Sequence, residues 1–317
     1  MTHAPCITES GHVMIEVKQL VKRYGSVTAL DHISFEAKAG EIVGLLGANG
    51  AGKTTTMRIL TGFMPPTEGT ARIAGFDVLT DSMEVRRRVG YLPERVPVYP
   101  DMTVEGYVTF WANLRGVKQA KQRVLSVLKS FDLLDRRYKL VRSLSKGLKQ
   151  RLGLAQALVH DPAVVILDEP TIGIDAQQVI EVRETVRKLR EAHTVLFSSH
   201  ILSEVEQVCD RVVILHQGRV VASGSTDILS KQMQPGTHLY VALQGKKKTE
   251  IRKLLEKLAG VTGVREHEAG FVLSSDLNTD LREAVSELLA SQRLTLLEMR
   301  PMETTLEDIF LNLVGKK

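Results

Sequence analysis

The sequence predicts an α/β protein with a mostly parallel sheet, followed by a small α+β domain. Short apolar runs alternate with segments of helical period between residues 41 and 215, which is typical of parallel sheets covered by helices. Hydrophobic residues make up 43% of the chain and aromatic residues only 5%, so Leu, Val, Ile and Ala must form the core. The 317 residues suffice for two domains, and Pro235–Gly236 interrupts the pattern between them.

The first domain is predicted over residues 13–230, after a flexible tail over residues 1–12. It begins with half-buried strands. Residues 41–46 form a nearly continuous apolar run, which predicts a fully buried strand, and a Gly-rich turn separates it from a helix over residues 54–60. A short outer pair of strands is then predicted over residues 70–79.

The middle of this domain changes to a helical period. A helical subdomain is predicted over about residues 103–160. Strand patterns then return, with a helix over residues 179–189, in three apolar runs: residues 164–167, 194–198 and 212–215. Strand, helix and strand in succession indicate parallel strands joined by crossover helices.

A second, small domain is predicted over residues 237–317. Its pattern of strand, helix, strand, strand, helix and strand is the βαββαβ order of the ferredoxin-like split motif. A last helix is predicted over residues 305–313.

Positive charge is concentrated in the predicted helical subdomain. The whole chain has a net charge of +5, whereas residues 103–151 contain twelve Lys or Arg and three Asp or Glu, a net charge of +9. This segment fits a solvated helical surface, a surface facing lipid headgroups, or one facing nucleic acid. Charge alone leaves all three interpretations open.

The compartment is predicted from cysteine use and from the N-terminus. Cys6 and Cys209 lie far apart, which favours two reduced thiols in a cytosolic protein. No apolar run approaches the ~18 residues that span a bilayer. Residues 1–11 have neither the basic start nor the apolar stretch of a signal peptide. The sequence therefore predicts a soluble chain that is still compatible with binding to a membrane protein.

The strongest motif is the Gly-rich turn that follows the buried strand. Residues 47–54 match G-x-x-x-x-G-K-[ST], the phosphate-binding loop. In this loop backbone N–H groups converge on phosphate oxygens, the Lys53 ammonium reaches the β- and γ-phosphates, and the Thr54 hydroxyl ligates Mg²⁺. The predicted nucleotide-binding residues of this segment are Gly47, Ala48, Asn49, Gly50, Ala51, Gly52, Lys53, Thr54 and Thr55.

A second motif stands at the end of the strand over residues 164–167. Asp168 and Glu169 follow this apolar run directly, where an unpaired carboxylate would be costly. Beside a phosphate-binding loop, the natural partner of Asp168 is Mg²⁺, and Glu169 is placed to orient and deprotonate an attacking water. The alternative is a pair of acids that caps a helix.

A third segment, residues 144–151, resembles the signature of the ATP-binding-cassette (ABC) ATPases, Leu-Ser-Gly-Gly-Gln. Ser145 and Gly147 match this signature, while Lys146 and Leu148 depart from it. Ser145 is also suited to cap a helix whose N-terminus faces an anion. The resemblance covers residues 13–230 and implies a P-loop NTPase fold of the ABC cassette type, with an antiparallel β subdomain beside the helical one.

Other positions match the family in the expected order. Tyr24 resembles the aromatic that stacks on adenine, although a core position at a strand end is an alternative. Asp175 resembles the acid of the loop that crosses between two subunits, and His200 resembles the switch histidine that contacts the γ-phosphate. Glu94 stands where the family usually has a Gln that ligates Mg²⁺. A carboxylate oxygen is still a suitable ligand, but it adds negative charge.

The resemblance implies an ATPase that uses ATP and Mg²⁺. Two cassettes would form a homodimer around two ATP molecules, with each phosphate-binding loop facing Ser145 and Gly147 of the partner subunit. Water would attack the γ-phosphate in line, with Glu169 handling the proton. Lys53, His200 and Mg²⁺ would stabilise the developing charge.

Three segments look like the ATPases of ABC-2 type exporters, a group with multidrug, polysaccharide and gliding-motility systems: residues 61–69, 90–102 and 306–311. This resemblance implies a separately encoded ABC-2 type integral membrane permease as partner. It implies a peripheral location on the cytoplasmic face of the inner or plasma membrane. The C-terminal domain would then have a regulatory or dimer-stabilising role.

Two other classes remain as alternatives. A soluble cassette ATPase acting on nucleic acid or ribosomes usually carries two cassettes or a long coiled coil, whereas this chain has one cassette and no heptad run. A kinase with a phosphate-binding loop needs neither the segment around Ser145 nor His200. Nucleic acid is therefore not expected as a partner.

Overall fold

A computed structural model describes the protein over residues 11–225, 238–267, 269–275, 279–292 and 294–302. The chain divides into two compact units, Met1–Thr226 and Asp227–Lys317. The predicted boundary near residues 230–237 and the predicted helix over residues 305–313 lie outside the described residues, as does most of the predicted tail.

The first unit alternates strands and helices, as predicted. In chain order its elements are β1 (Val13–Tyr24), β2 (Val27–Lys38), β3 (Ile42–Leu46), α1 (Lys53–Leu60), β4 (Glu68–Ile73), β5 (Phe76–Asp77), α2 (Ser82–Arg88), β6 (Val89–Leu92), α3 (Val104–Leu114), α4 (Ala120–Ser130), α5 (Lys146–Leu158), β7 (Val164–Leu167), α6 (Ala176–Leu189), β8 (Thr194–Ser199), α7 (Leu202–Val208), β9 (Arg211–His216) and β10 (Arg219–Ser225).

One sheet of this unit is antiparallel, with the strand order β2-β1-β4-β5. Gly25 lies in the turn of the β1–β2 hairpin with a φ of 57°, a backbone conformation that glycine adopts readily. Ile15, Leu30 and Ile33 of this sheet are fully buried and share one apolar cluster with Met57 of α1. This sheet is the predicted antiparallel β subdomain.

The second sheet has the order β10-β9-β3-β8-β7-β6. The strands from β9 to β6 are parallel, and β10 pairs antiparallel with β9. Every residue of β3, β7 and β8 is buried, which explains why these strands are apolar runs without alternation. The carboxyl ends of the parallel strands meet at one edge, where the loops after β3, β6, β7 and β8 come together.

A helical subdomain lies within the predicted range of residues 103–160. Helix α3 packs against α4 and α5, and two 3-10 turns, Leu134–Arg136 and Val141–Ser143, connect α4 to α5. The Thr103 hydroxyl caps α3 by accepting a hydrogen bond from the Gly106 N–H at 3.0 Å.

Several basic side chains of the +9 segment have acidic partners within the first unit. These pairs favour the interpretation of a solvated surface for the residues concerned, because their charge is already balanced. The pairs are Arg123–Asp161 at 3.0 Å, Arg137–Glu105 at 3.7 Å, Arg142–Asp101 at 3.0 Å and Arg151–Asp132 at 3.0 Å.

The segment over residues 90–102 begins within a strand. Gly90–Leu92 belongs to β6, which pairs with β7, and the loop starts at Pro93. The sequence pattern also does not predict α2, α7 or β10. Helices α2 and α7 have seven residues each, which is too short for a clear helical period. Strand β10 has a mixed, largely half-buried pattern that shows no alternation.

The second unit contains β11 (His238–Gln244), α8 (Lys248–Leu255), β12 (Val261–His267), β13 (Gly270–Ser275), α9 (Leu281–Gln292) and β14 (Thr295–Met302). This is the predicted βαββαβ order. Its strands form an antiparallel sheet with the order β12-β13-β11-β14, the arrangement of ferredoxin-like domains. Val241, Phe271 and Leu273 pack with Ile251 and Val285 of the two helices.

Within the part of the chain that the structure describes, none of the helices combines the length and the apolar character that crossing a membrane requires.

Candidate functional site

The phosphate-binding loop connects the buried strand β3 to helix α1, and its geometry depends on glycine. Gly50 and Gly52 have φ values of 81° and 108°, a region that L side chains rarely adopt. At Gly47 an added Cβ would lie 2.5 Å from the Leu215 carbonyl oxygen, so this position also needs glycine. Because α1 begins at Lys53, the loop presents its backbone N–H groups together with a helix N-terminus.

Lys53 is held inside this loop. Its side chain is 6% exposed, and its ammonium donates a hydrogen bond to the Gly47 carbonyl oxygen at 2.6 Å. The same nitrogen lies 3.2 Å from Glu169 Oε1. The Lys53 ammonium is therefore held between a carbonyl oxygen and a carboxylate, next to the backbone of the phosphate-binding loop.

A cavity of ≈ 440 Å³ opens over the loop. It brings together most of the predicted nucleotide-binding loop with Glu94 and Glu169, which are far away in sequence. The lining residues are Ala29, Ala48, Asn49, Gly50, Gly52, Lys53, Thr54, Thr55, Glu94, Glu169 and Ile172. Of the predicted loop residues, Gly47 contributes its carbonyl oxygen to Lys53, and Ala51 is buried beneath the loop.

Asp168 stands at the carboxyl end of β7 and is 1% exposed. Its Oδ1 accepts hydrogen bonds from the Ser198 hydroxyl at 2.8 Å and from the Thr54 hydroxyl at 3.4 Å. Its Oδ2 is buried and has no hydrogen-bond partner among the described residues. Burial raises the pKa of this carboxyl group above its ordinary value, and the nearby carboxylates of Glu169 and Glu94 raise it further.

These features of Asp168 fit a divalent cation. A buried carboxylate oxygen without a partner beside a threonine hydroxyl is a suitable pair of oxygen ligands for Mg²⁺. No group of three or more His, Cys, Asp or Glu side chains in the described ranges is arranged to hold a metal by itself. A cation here therefore needs further oxygen ligands, which the phosphates of a nucleotide supply.

Glu169 directly follows Asp168 and has an unusual backbone. Its φ is 49°, in the left-handed region that is uncommon for residues other than glycine. The Ser198 hydroxyl oxygen accepts a hydrogen bond from the Glu169 N–H at 2.9 Å, which helps to hold this conformation. The side chain is turned toward the site, where Glu169 Oε2 lies 2.8 Å from His200 Nδ1. The predicted base and the predicted switch histidine therefore form a hydrogen-bonded pair.

Glu94 follows the end of β6, and its exposed side chain lines the cavity. Its charge acts on the Asp168 carboxyl group, since the Glu94 carboxylate contributes to raising the pKa of Asp168. The position is therefore compatible with the predicted cation ligand. It makes the cavity more negative than an amide side chain would.

The segment with Ser145 does not line the cavity of its own chain; it contacts the loop that follows Glu169. Ser145 caps α5, with its hydroxyl oxygen accepting from the Leu148 N–H at 3.3 Å. An added Cβ at Gly147 would lie 1.9 Å from the amide oxygen of Gln178. Asp175 caps α6 by accepting from the Gln178 N–H at 3.0 Å. The starts of α5 and α6 are thus in contact, with Ser145 and Asp175 exposed and Gly147 buried against Gln178.

Tyr24 is 46% exposed, so the alternative of a core residue is wrong. Its hydroxyl lies 3.0 Å from the sulfur of Met64, and the Lys22 ammonium lies 5.3 Å from its ring centroid. The ring lies outside the residues that line the cavity. Stacking on adenine stays a prediction for this residue.

Sequence reasoning missed several residues of the site. Ala29 and Ile172 line the cavity, and Ser198 bonds both Asp168 and Glu169. Gln150 donates from its side chain to the Pro170 carbonyl oxygen at 2.8 Å, which joins α5 to the chain after Glu169. Ser198 had a sequence indication, since it ends an apolar strand beside His200. The roles of the others depend on tertiary contacts.

Comparisons with known proteins find similar sequences. A family profile described as "ABC transporter" matches residues 30–172. The linearmycin resistance ATP-binding protein LnrL of Bacillus subtilis (strain 168) is 34% identical over 310 residues, covering 96% of this chain and 99% of that protein. The bacitracin transport ATP-binding protein BcrA of Bacillus licheniformis is 34% identical over 305 residues, covering 95% and 97% respectively.

The fold is also similar to solved structures. The structure of an ATP-binding subunit of an ABC transporter superimposes with a TM-score of 0.64 at 33% sequence identity. The match covers 69% of this chain and 92% of that chain.

Proposed function

The chain belongs to the ABC transporter family of ATP-binding proteins, and we propose that it is the ATP-hydrolysing subunit of an exporter with separate membrane subunits. The hydrogen-bonded pair of Glu169 and His200 beside Lys53 carries the catalytic part of this proposal. Relatives that align over almost their whole length are named for antibiotic resistance or transport. Their names support a bulky, antibiotic-like cargo for the exporter.

The loop residues are assigned to the nucleotide. Backbone N–H groups of the loop and the N-terminus of α1 bind the phosphates, and the Lys53 ammonium moves from the Gly47 carbonyl oxygen to phosphate oxygens. Thr54, Asp168 and Glu94 would hold Mg²⁺, which supplies positive charge to the phosphates when bound. Tyr24 would stack on the adenine.

The Glu169 carboxylate is assigned the role of general base. Its left-handed backbone directs the carboxylate into the site, and His200 fixes one of its oxygens at 2.8 Å. A base placed in this way removes a proton from water as it attacks the γ-phosphate. His200 and Lys53 stabilise the negative charge that develops on the phosphate oxygens.

The catalytic assignment is tested with Glu169→Gln. The amide keeps the shape of the side chain but does not accept a proton, so turnover should fall by about 10²–10⁴-fold. ATP binding, measured with a fluorescent analogue, should be retained. Turnover at the wild-type rate in this variant would remove Glu169 from the base role.

A groove in the first unit supports a membrane subunit as partner. Two neighbouring cavities of ≈ 430 and ≈ 460 Å³ share Arg86 and Arg115. Exposed Phe63 and Leu114 border them, with exposed fractions of 74% and 63%. Exposed apolar side chains beside a concave surface are typical of interaction sites.

The charge of this groove indicates what it binds. Arg86 donates to the Gly62 carbonyl oxygen at 3.0 Å, and Arg115 donates to the Arg86 carbonyl oxygen. Burial holds the pKa of Arg115 below its ordinary value, and the nearby Arg86 charge lowers it further. Arg86 and Arg115 lie close together, and their described hydrogen bonds go to carbonyl oxygens rather than to carboxylates. Together with the exposed apolar side chains, they would suit a partner segment that has an apolar face and a carboxylate. We assign this groove to an ABC-2 type permease.

A further inference from the structure

Glu204 is a buried carboxylate that none of the motifs above includes. It lies in α7 and is 2% exposed. Its Oε2 accepts two hydrogen bonds, from the Thr171 hydroxyl at 2.7 Å and from the Ser199 hydroxyl at 2.9 Å. A carboxylate is costly to bury, and hydrogen bonds of this kind offset that cost.

The cation nearest to Glu204 is a weak partner. Arg183 lies 3.7 Å from Glu204 Oε1 and donates its shorter bond, at 2.7 Å, to the side-chain oxygen of Gln207. The main contacts of the carboxylate are therefore the two hydroxyl groups. An ion pair therefore does not explain why the Glu204 carboxylate is buried. The residues that carry the two hydroxyl groups indicate what the carboxylate holds in place.

The two hydroxyl groups flank the catalytic pair. Thr171 stands two residues after Glu169, and Ser199 immediately precedes His200. Ser199 also accepts a hydrogen bond from the Ile201 N–H at 2.9 Å, which fixes the chain on the other side of His200. Glu204 thus connects the segment after Glu169 to the segment that carries His200.

The strain at Glu169 makes such a connection necessary. A left-handed backbone at a residue other than glycine is unfavourable and persists only where surrounding contacts hold it. On the N-terminal side of Glu169, the Ser198 hydroxyl oxygen accepts a hydrogen bond from the Glu169 N–H at 2.9 Å. On the C-terminal side, the Glu169 carbonyl oxygen accepts from the Ile172 N–H at 3.1 Å, and the Thr171 hydroxyl is bonded to Glu204.

We propose that Glu204 is a positioning residue that holds Glu169 and His200 at hydrogen-bonding distance through Thr171 and Ser199. This inference rests on the proposed function, in which Glu169 removes the proton of the attacking water and His200 fixes the Glu169 carboxylate. Glu204 touches neither nucleotide nor water in this scheme. It fixes the two chain segments whose separation sets the 2.8 Å distance between Glu169 and His200.

The test is made on a bonded hydroxyl, because Glu204→Ala would leave the buried hydroxyls of Thr171 and Ser199 without their acceptor and would endanger folding. Thr171→Val removes the hydroxyl while keeping the shape of the side chain, and Thr171→Ser keeps the hydroxyl. The control is Thr194→Val. Thr194 is a similarly buried threonine at the start of β8, whereas Ser199 is at the end of that strand and His200 follows it. Each variant of the full chain is assayed for kcat and KM of ATP hydrolysis, and the ¹⁵N signals of the His200 imidazole are recorded.

We expect Thr171→Val to lower kcat by about tenfold or more, because small displacements of catalytic groups have effects of this size, with KM unchanged. The His200 Nδ1 signal should shift in this variant, while Thr171→Ser and Thr194→Val keep both wild-type values. A wild-type kcat and His200 signal in Thr171→Val would overturn the proposal. Equal losses in Thr194→Val would overturn it as well, since they would reflect general stability.

Failure of the proposed function has a different outcome. In that case wild-type protein would not hydrolyse ATP, or Glu169→Gln would hydrolyse it at the wild-type rate. The His200 signal does not depend on turnover and still reports whether Thr171 and Glu204 hold the pair.

Discussion

Glu169 is constrained by its backbone conformation, by burial and by two neighbouring side chains. It has a left-handed backbone, it is 6% exposed, and its two carboxylate oxygens face Lys53 and His200 separately. A carboxylate fixed in this way beside the phosphate-binding loop fits the proposed role of Glu169 as general base.

His160 provides a prediction at the scale of one residue. Its Nε2 lies 3.1 Å from the Val89 carbonyl oxygen, and its Nδ1 is buried without a partner among the described residues. Burial lowers the pKa of this imidazole from 6.5 to about 4, and the nearby Arg115 charge contributes. The folded chain therefore keeps His160 neutral where the unfolded chain already binds a proton.

The sign of the pH effect follows from this difference. Neutral His160 contributes to the free energy of unfolding. This contribution is fully present above the unfolded pKa of 6.5 and is lost as the pH falls toward the folded pKa of about 4. Between about pH 7 and pH 5 the loss should be about 2 kcal/mol of unfolding free energy. Urea unfolding of the wild type and of His160→Gln tests this, because Gln keeps a donor toward Val89 but does not titrate. Parallel pH profiles for the two proteins would contradict the prediction.

At the scale of elements, α2 and α3 border the proposed permease groove with Arg86 and Arg115. Arg86→Glu should abolish co-purification with the permease subunit, because it replaces an attraction for a carboxylate by a repulsion. ATP hydrolysis by the isolated subunit should stay unchanged, since Arg86 lies outside the nucleotide cavity. The matched control is Lys118→Glu, which makes the same charge change at an exposed position after α3. Equal capture of the permease by both variants would exclude the groove as the docking surface.

The elements also show how far sequence pattern extends. Apolar runs predict β3, β7 and β8 because these strands are buried on both faces. The sequence pattern does not predict helix α7 or strand β10, because their secondary structure depends on tertiary contacts. Helix α7 packs against β3 and β8, and β10 pairs with β9. The placement of Gly90 in β6 likewise depends on the ladder with β7.

The same limit applies to the site. Its phosphate-binding loop and the acids after β7 are local motifs, so Lys53, Thr54, Asp168 and Glu169 can be placed together from sequence. Ala29 and Glu204 are different, because nothing in their own segments indicates a site. Ala29 comes from β2 and Glu204 from α7, and only the packed sheet brings them beside the loop or the catalytic pair.

At the scale of the whole molecule, the prediction concerns assembly. Ser145 and Asp175 are exposed and do not line the cavity of the same chain, which fits a site completed by a second copy. Glu169→Gln should bind Mg-ATP without consuming it. Light scattering should then show a shift from one chain to two when Mg-ATP is added.

Lys53→Ala serves as the control for this measurement, because without the ammonium ATP should neither bind firmly nor cause association. A Glu169→Gln protein that binds ATP and stays monomeric would contradict a nucleotide-driven homodimer of the isolated subunit. A dimer already present without ATP would point to residues 237–317 as the contact, and truncation after Ser230 would test that.

The order of the central sheet has one more consequence. Strands β3, β8 and β7 each have neighbours on both sides, whereas β6 is an edge strand held by a four-residue ladder to β7 alone. Lys53, His200 and Glu169 therefore follow strands that are paired on both sides, whereas Glu94 follows an edge strand. Amide exchange should be faster in β6 than in β3, because opening an edge strand disrupts fewer hydrogen bonds. We therefore expect the part of the cavity wall that carries Glu94 to move more readily than the residues that follow β3 and β7.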